Sequence, residues 1–209
     1  MIAKKIFYID CDSKTFKGMI KNAYDSDGFL LSIEDQLSKM KKDPEKFGYG
    51  AIDVGTALKF SGLFASKILF KYSDIKHIND KHIQDPEISS ILSNLNNNIV
   101  LSMDYTDKLK SNLYKKSYIL ESNNSIYLMG LSINIKGNIY ISELTTLFGK
   151  NNISDNDIKD IITKSINNGN MVYFNKKSNK FLVRFGISIA SVLETIATHN
   201  IAYVKKKNK

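Results

Sequence analysis

The side chains best suited to acid–base chemistry in this 209-residue chain are its three histidines. His77 and His82 lie close together with Lys81 between them, whereas His199 stands alone near the end, where a helix-capping role is favoured. An imidazole titrates near neutral pH, and an ammonium group stabilises negative charge that develops on a phosphate. Metal-independent cleavage of RNA needs only these groups, because the 2′-hydroxyl supplies the nucleophile. This set of residues therefore favours that enzyme class.

Sequence patterns for other chemistries are absent. The spacing of His77 and His82 predicts rings on different faces of a helix, which is unlike the i, i+4 pair of a helical metal site. The single cysteine, Cys11, excludes an internal disulfide and a cysteine-based metal cluster. The chain has no glycine-rich phosphate loop, no nucleophile elbow and no Glu-x-Glu pair for ADP-ribosyl transfer. The sequence therefore predicts neither a metal nor a cofactor.

The histidine pair is predicted to lie on a helix that is capped at Ser73–Asp74 and ends at about residue 84. His82 continues an apolar stripe of two isoleucines and is therefore predicted to face whatever the helix packs on. His77 and Lys81 are predicted to lie on an exposed rim. Structural explanations stay open: a hydrogen-bonded core histidine for His82, and a solvated surface for the other two.

The partner of this helix is predicted within residues 117–152, as three consecutive antiparallel strands. Apolar residues alternate there with period two, and turn signals rich in Asn and Gly divide the strands at residues 122–125 and 136–138. The alternation slips at Met129–Gly130, which predicts a β-bulge.

Helical patterns before and after these strands predict an α+β fold, with helices packed on a curved antiparallel sheet. A charged connection at residues 41–50 predicts a boundary between a small N-terminal α/β extension, residues 1–50, and a main domain, residues 51–204, followed by a basic tail, residues 205–209. The other elements predicted are helix caps at Ser32 and Ser154, a strand at 67–71, a polar connection at 104–116, and a hairpin formed by 171–174 and 181–185.

The net charge of +9 makes a phosphate-bearing partner one explanation, and a basic coding background is the other. No apolar run approaches the roughly 20 residues that a membrane helix needs, so no membrane partner is expected. The start of the chain lacks the pattern of a Sec signal peptide. A cytoplasmic protein is therefore expected, with virion association or delivery by a signal-less route left open.

Several segments, taken in order, resemble one known domain. They are residues 52–58, 75–82, 86–95, 139–152 and 170–177. Together they resemble the C-terminal toxin-type domain of phage minor head (MuF-like) proteins, which is placed among the barnase–EndoU–colicin–RelE-like nucleases. The similarity covers roughly residues 51–203. It is best in Thr-Thr-Leu-Phe-Gly-Lys-Asn-Asn, where the family form reads Ser-x-Tyr-Gly-Lys-x-Asn, so Phe148 replaces the usual tyrosine and its hydroxyl.

The resemblance implies an RNase fold with its active site on the open face of the sheet. One histidine would take the 2′-hydroxyl proton, cations would neutralise the phosphate, and hydroxyl and amide groups would hold its oxygens. Strand propensity, turn formation and solvated charge are the structural alternatives for the strand-end residues. The catalytic residues that the resemblance implies are His77, Lys81, His82 and Thr146, and Glu143 is added as a candidate for a second acid or base. The substrate-binding residues that it implies are Thr145, Lys150, Asn151 and Asn152.

The function favoured at this point is a metal-independent endoribonuclease toxin or effector. Its partners would be RNA, with tRNA as one candidate, and an immunity or antitoxin protein acidic enough to mask a basic cleft. The alternative is a catalytically silent nucleic-acid-binding or phage structural module with the same fold. A transferase for ADP-ribose is disfavoured by the missing Glu-x-Glu pair.

Overall fold

The computed structural model describes residues 6–83, 86–106, 114–149, 154–167, 170–194 and 197. Within these residues the fold is α+β, with helices packed on a seven-stranded, mostly antiparallel sheet that stays open at both edges. The strands are β1 Phe7–Tyr8, β2 Tyr49–Asp53, β3 Leu63–Phe64, β4 Lys67–Lys71, β5 Ile99–Thr106, β6 Tyr114–Ser122, β7 Ser125–Lys136, β8 Ile139–Phe148 and β9 Val172–Phe174. The helices are α1 Lys14–Met19, α2 Ile33–Lys42, α3 Pro44–Phe47, α4 Tyr72–Lys81, α5 Glu87–Ser93, α6 Leu95–Asn98, α7 Asp155–Asn167 and α8 Ser178–Val183. Residues 189–194 are also helical, and 3₁₀ turns cover Lys21–Ala23 and Lys59–Ser61.

The three consecutive antiparallel strands predicted from the sequence are confirmed as β6, β7 and β8. They lie in the middle of a sheet with the order β2-β4-β8-β7-β6-β5-β9, and β1 pairs separately with β3. Asn123 and Asn124 adopt positive φ angles of 49° and 59° in the first turn, and Gly137 adopts 58° in the second. The predicted turn residues therefore supply the left-handed conformations that tight hairpins require.

A bulge interrupts the pairing of β7 with β8, at the predicted slip. Gly130 pairs with Thr146, but the next residue of β7 pairs with Leu144, so Thr145 is an extra residue on β8. Glycine is needed because a Cβ atom at position 130 would lie 2.8 Å from Cγ2 of Thr146. The extra residue has a direct consequence: Glu143 and Thr146, although three apart, point to the same face of the sheet.

Buried side chains form two hydrophobic clusters. The larger joins N-terminal residues such as Phe16 and Met40 to sheet residues such as Leu147. The smaller lies between the sheet and the C-terminal helices and includes Ile162 and Phe181. Residues on both sides of position 50 therefore share one cluster, and the predicted division into extension and main domain stays a prediction.

Helix α2 covers the free edge of the sheet at β2. Its predicted cap is confirmed, since the Ser32 hydroxyl accepts a hydrogen bond of 3.0 Å from the Asp35 N–H. The buried Gln36 amide then accepts from the Ala51 N–H at 2.8 Å and donates to the Ala51 carbonyl at 3.0 Å. These bonds satisfy the backbone groups that an edge strand would otherwise leave unpaired.

Strand β4 has the predicted bounds, and α4 follows it without a loop. The predicted cap at Ser73–Asp74 is wrong: Lys71 is the N-cap residue, with no side-chain cap bond, and Asp74 lies in the first turn. An acidic residue there still favours the helix dipole. Strand β4 pairs in parallel with β8 at one position, Leu69 with Glu143. Helix α4, which follows β4, also contacts β8.

The predicted polar connection at residues 104–116 is wrong at both ends, because β5 runs on to Thr106 and β6 begins at Tyr114. Polar residues are accommodated in these strands by pairing with one another. The ammonium group of Lys116, which is 2% exposed, lies 2.5 Å from the Asp104 carboxylate and 2.8 Å from the Ser61 carbonyl. Residues 107–113 lie outside the described residues.

The second strand of the predicted hairpin, residues 181–185, is also wrong, because this segment belongs to α8 and the turn after it. The Ser178 hydroxyl accepts from the Asn175 N–H and donates to the Val100 carbonyl, which anchors the first residue of α8 to β5. Phe181 and Phe185 then lie one helical turn apart with ring centroids at 5.0 Å. At the start of α7, the predicted cap is confirmed by hydrogen bonds between Ser154 and Asp157.

No helix among the described residues combines the length and the apolar character that a membrane crossing requires.

Candidate active site

The two histidines of α4 are in contact, contrary to the prediction from their spacing. Their ring centroids are 5.3 Å apart in an edge-to-face arrangement. His82 is the C-cap residue, with φ −130°, so it leaves the helical path on which an i, i+5 pair would diverge. Its N–H still bonds to the Ile78 carbonyl at 2.8 Å, which fixes the backbone at this position. The end of the helix therefore brings together two groups that both accept and donate protons.

His82 packs against the end of β8, as the apolar stripe predicted. Its ring centroid lies 4.2 Å from that of Phe148, and the side chain is half-buried. Burial, assisted by the positive charges of His77 and Lys81, lowers the pKa of His82 below its ordinary value. A neutral imidazole at physiological pH is the form that acts as a general base. His77 and Lys81 are exposed, as predicted for the rim.

Thr146 lies two residues before Phe148 on the same face of β8 and is half-buried. Its hydroxyl oxygen is buried, and no described residue forms a hydrogen bond with it. A buried hydroxyl usually has a partner, so the Thr146 hydroxyl is an exception. Thr145, the bulged residue, differs: its hydroxyl donates to the Gly130 carbonyl at 3.1 Å, and its side chain is exposed.

Glu143 is the centre of a polar cluster farther along the same face of β8. Its carboxylate lies 3.0 Å from the Lys71 ammonium and accepts a hydrogen bond of 2.6 Å from the Asn134 amide. Burial raises the pKa of Glu143, but the hydrogen bonds from Lys71 and Asn134 outweigh it and the pKa falls below the ordinary value. Glu143 is therefore a carboxylate near neutral pH.

Tyr49 and Asp74 complete this cluster from β2 and α4. Tyr49 pairs with Lys71 across neighbouring strands, and its ring lies 5.1 Å from the Lys71 ammonium. Burial raises the pKa of Asp74; the positive Lys71 opposes this rise, and the negative Glu143 adds to it. The positive charge of His77 also opposes the rise in the pKa of Asp74, so the polar residues extend from the cluster towards the histidine pair.

The structure thus brings His77 and His82 together and aligns Thr146 and Glu143 on the strand beside them. The predicted substrate-binding residues Lys150, Asn151 and Asn152 lie outside the described residues, as does His199. The catalytic and binding roles of all these residues stay predictions. Within the described part of the chain, no group of three His, Cys, Asp or Glu side chains is arranged to hold a metal ion.

Sequence reasoning missed four members of the cluster: Tyr49, Lys71, Asp74 and Asn134. Each of these residues lies on or next to a predicted helix or strand. They form a cluster, however, only because β2, β4, β8 and β7 are neighbouring strands paired in this register. Lys71 at the junction of a strand and a helix was the one available signal, because such junctions place a side chain at the edge of a sheet.

Comparison with known protein families, with curated proteins and with solved structures found no match. The resemblance to the MuF-like toxin domain therefore rests on the quoted segments alone.

Proposed function

We propose that this protein is a metal-independent endoribonuclease in which His82 is the general base and His77 the general acid. The observation that carries the proposal is the edge-to-face contact of the two imidazoles, with ring centroids at 5.3 Å. One imidazole is half-buried with a lowered pKa and the other is exposed, so the two differ in the way that a base and an acid must differ.

The proposed reaction is internal transfer of the phosphodiester. His82 removes the proton from the 2′-hydroxyl, the 2′-oxygen attacks phosphorus, and the bond from phosphorus to the 5′-oxygen breaks. Protonated His77 gives its proton to the departing 5′-oxygen. The products are a 2′,3′-cyclic phosphate and a free 5′-hydroxyl, and the two histidines end with their protonation states exchanged.

Neighbouring groups stabilise the negative charge that develops on the phosphate. The Thr146 hydroxyl, which is buried and bonds to no described residue, would donate to a non-bridging oxygen of a phosphate whose binding uncovers it. Lys81 adds positive charge beside His82. The ion pair between Glu143 and Lys71 favours a positioning role for Glu143, because its carboxylate is already held by two partners. The acid–base role predicted for Glu143 from the sequence stays a prediction.

The test is cleavage of purified RNA in the presence of EDTA by the wild type, His82→Ala and His77→Ala. Each substitution is expected to lower kcat/KM by roughly 10²- to 10⁴-fold. His199→Gln is the matched control, because it removes a histidine outside the proposed pair. Activity should fall as the pH drops through the lowered pKa of His82, because only neutral imidazole accepts the 2′-hydroxyl proton. Full activity in His82→Ala would refute the assignment.

The same variants test the proposed toxin role. A ribonuclease without an inhibitor degrades the RNA of the cell that makes it, so induced expression is expected to arrest growth. His82→Ala should remove the arrest, and an acidic immunity protein would be the natural inhibitor of so basic a chain. Intact RNA binding with no cleavage by the wild type would instead identify a silent nucleic-acid-binding module.

A further inference from the structure

A concave surface of about 720 Å³ lies beside α8, between this helix and the β6–β7 turn. We call it the basic groove. Four of the side chains that line it are cationic and exposed, and one is acidic. The residues that carry the argument are Lys176, Lys177, Lys180, Arg184, Glu121 and Asn123.

Two of the four cations form neither an ion pair nor a side-chain hydrogen bond with a described residue. Arg184 forms an ion pair with Glu121, and Lys177 donates to the backbone carbonyl of Asn97. For Lys176 and Lys180, no ion pair occurs within the described residues. Exposed ammonium groups that converge on one hollow create a local positive potential, and a polyanion is the ligand that such a potential selects.

The basic groove and the histidine pair lie at the same end of the sheet. Asn124 occupies the turn where β7 begins, and four residues later Leu128 pairs with Phe148, the residue against which His82 packs. Four residues of a strand span roughly 13 Å. Leu128 and Phe148 also pack against the hydrophobic cluster that contains Phe181 of α8. A single extended chain can therefore contact both places.

We propose that the basic groove binds the sugar–phosphate backbone of single-stranded RNA whose scissile bond lies at His77 and His82. The inference rests on the proposed function and adds a binding subsite to it. Flexible ammonium groups hold phosphates as point charges without reading bases, so the groove provides affinity rather than sequence selection. The Asn123 side chain at the turn adds amide donors of the kind that contact phosphate and sugar oxygens.

The binding test uses a fluorescent oligonucleotide made entirely of 2′-O-methyl nucleotides, which the proposed reaction cannot cleave. Its affinity for the wild type and for Lys176→Ala/Lys180→Ala is measured by anisotropy as a function of salt. Two lost phosphate contacts should reduce the slope of log K against log salt by about 1.4, at about 0.7 per contact on a single strand. Between about 50 and 200 mM salt, the factor by which affinity falls should therefore be about sevenfold smaller for the variant than for the wild type.

The control is Lys42→Ala/Lys136→Ala, which removes the same charge from exposed positions, with Lys42 at the end of α2 beside the sheet edge opposite β9. Lys136 ends β7 and therefore lies at the opposite end of that strand from the groove. This control is expected to keep the wild-type slope to within the error of measurement. An equal loss of slope in both double variants would overturn the inference, because it would assign the effect to net charge.

Cleavage assays separate this inference from the proposed function. A dinucleotide cannot span the distance to the groove, so the groove variant should cut it at the wild-type rate while its kcat/KM for a long RNA falls. If the wild type cuts RNA and the groove variant binds and cuts long RNA normally, the groove inference fails and the nuclease stands. If the wild type cuts nothing but shows the groove-dependent slope, the groove stands as a binding site and the nuclease fails. If the wild type does not bind the oligonucleotide, the groove inference fails.

Discussion

The ion pair between Lys71 and Glu143 offers a test of how the candidate site is held together. It joins the last residue of β4 to the middle of β8, at the point where the chain turns into the helix that carries both histidines. Lys71→Met removes the ammonium group and keeps most of the apolar stem. The Glu143 carboxylate is then left with the Asn134 amide and the Tyr49 hydroxyl as its side-chain partners among the described residues.

The size of the effect follows from the separation and the burial of the two groups. At 3.0 Å the attraction is about 5.5 kcal/mol for an effective dielectric constant of about 20, and about 1.4 kcal/mol in bulk water. The Glu143 side chain is 8% exposed, but that of Lys71 is 42% exposed and is screened by solvent. A net loss of about 2 kcal/mol in unfolding free energy is therefore expected, between the values for surface pairs and for buried pairs.

The pH dependence has a definite sign. The folded state lowers the pKa of Glu143 below its ordinary value of 4.5, so the pair stabilises the fold above that value and the stabilisation is lost as the pH falls through the lowered pKa. Without Lys71, burial still raises the pKa of this carboxyl, and a protonated Glu143 no longer needs a cation. The cost of Lys71→Met should therefore fall from about 2 kcal/mol at pH 7 to roughly half or less at pH 4.

Urea denaturation at the two pH values measures this difference, since urea does not screen charge as guanidinium does. The control is the same substitution in a Glu143→Gln background, where removing Lys71 should cost well under 1 kcal/mol because no carboxylate is left unpaired. A cost that is equal at both pH values, or equal in both backgrounds, would show that Lys71 acts through packing, and the electrostatic reasoning would be wrong.

Three further substitutions test other parts of the structure. Gly130→Ala places a methyl group 2.8 Å from Cγ2 of Thr146 and should cost about 1–3 kcal/mol in urea denaturation, with a parallel loss of RNA cleavage; unchanged stability would mean that the bulge relaxes freely. Lys116→Met leaves the Asp104 carboxylate without its buried cation and should cost about 3–5 kcal/mol, which thermal unfolding would detect; restoration by a second change, Asp104→Asn, would confirm the cause. Ser32→Ala removes a helix cap and should cost about 1 kcal/mol while leaving cleavage unchanged, and a large loss of activity would contradict its assignment as purely structural.

Local signals in the sequence were sufficient for much of the fold. Period-two alternation and Asn- or Gly-containing turns predicted β6, β7 and β8, and the slip at Gly130 predicted the bulge, because these features depend on residues close together in the chain. The same kind of reasoning failed for residues 181–185, which were predicted as the second strand of a hairpin. There the hydrogen bond from the Ser178 hydroxyl to the carbonyl of distant Val100, which no local pattern reveals, anchors the start of α8 to β5.

At the candidate site, too, some features follow from the local sequence and others only from the tertiary structure. By its own pattern, the sequence determined that Ile75 and Ile78 turn inwards and that His77 and Lys81 remain exposed, since helical spacing alone separates a buried stripe from a rim. Only the tertiary structure decided that the two imidazoles touch, because the helix ends at His82 and the backbone leaves the path that its spacing implies. The tertiary structure also decided that Lys71 pairs with Glu143, 72 positions later in the chain. Such pairs depend on which strands are neighbours and in which register, and this is set by packing of the whole chain rather than by any one segment of it.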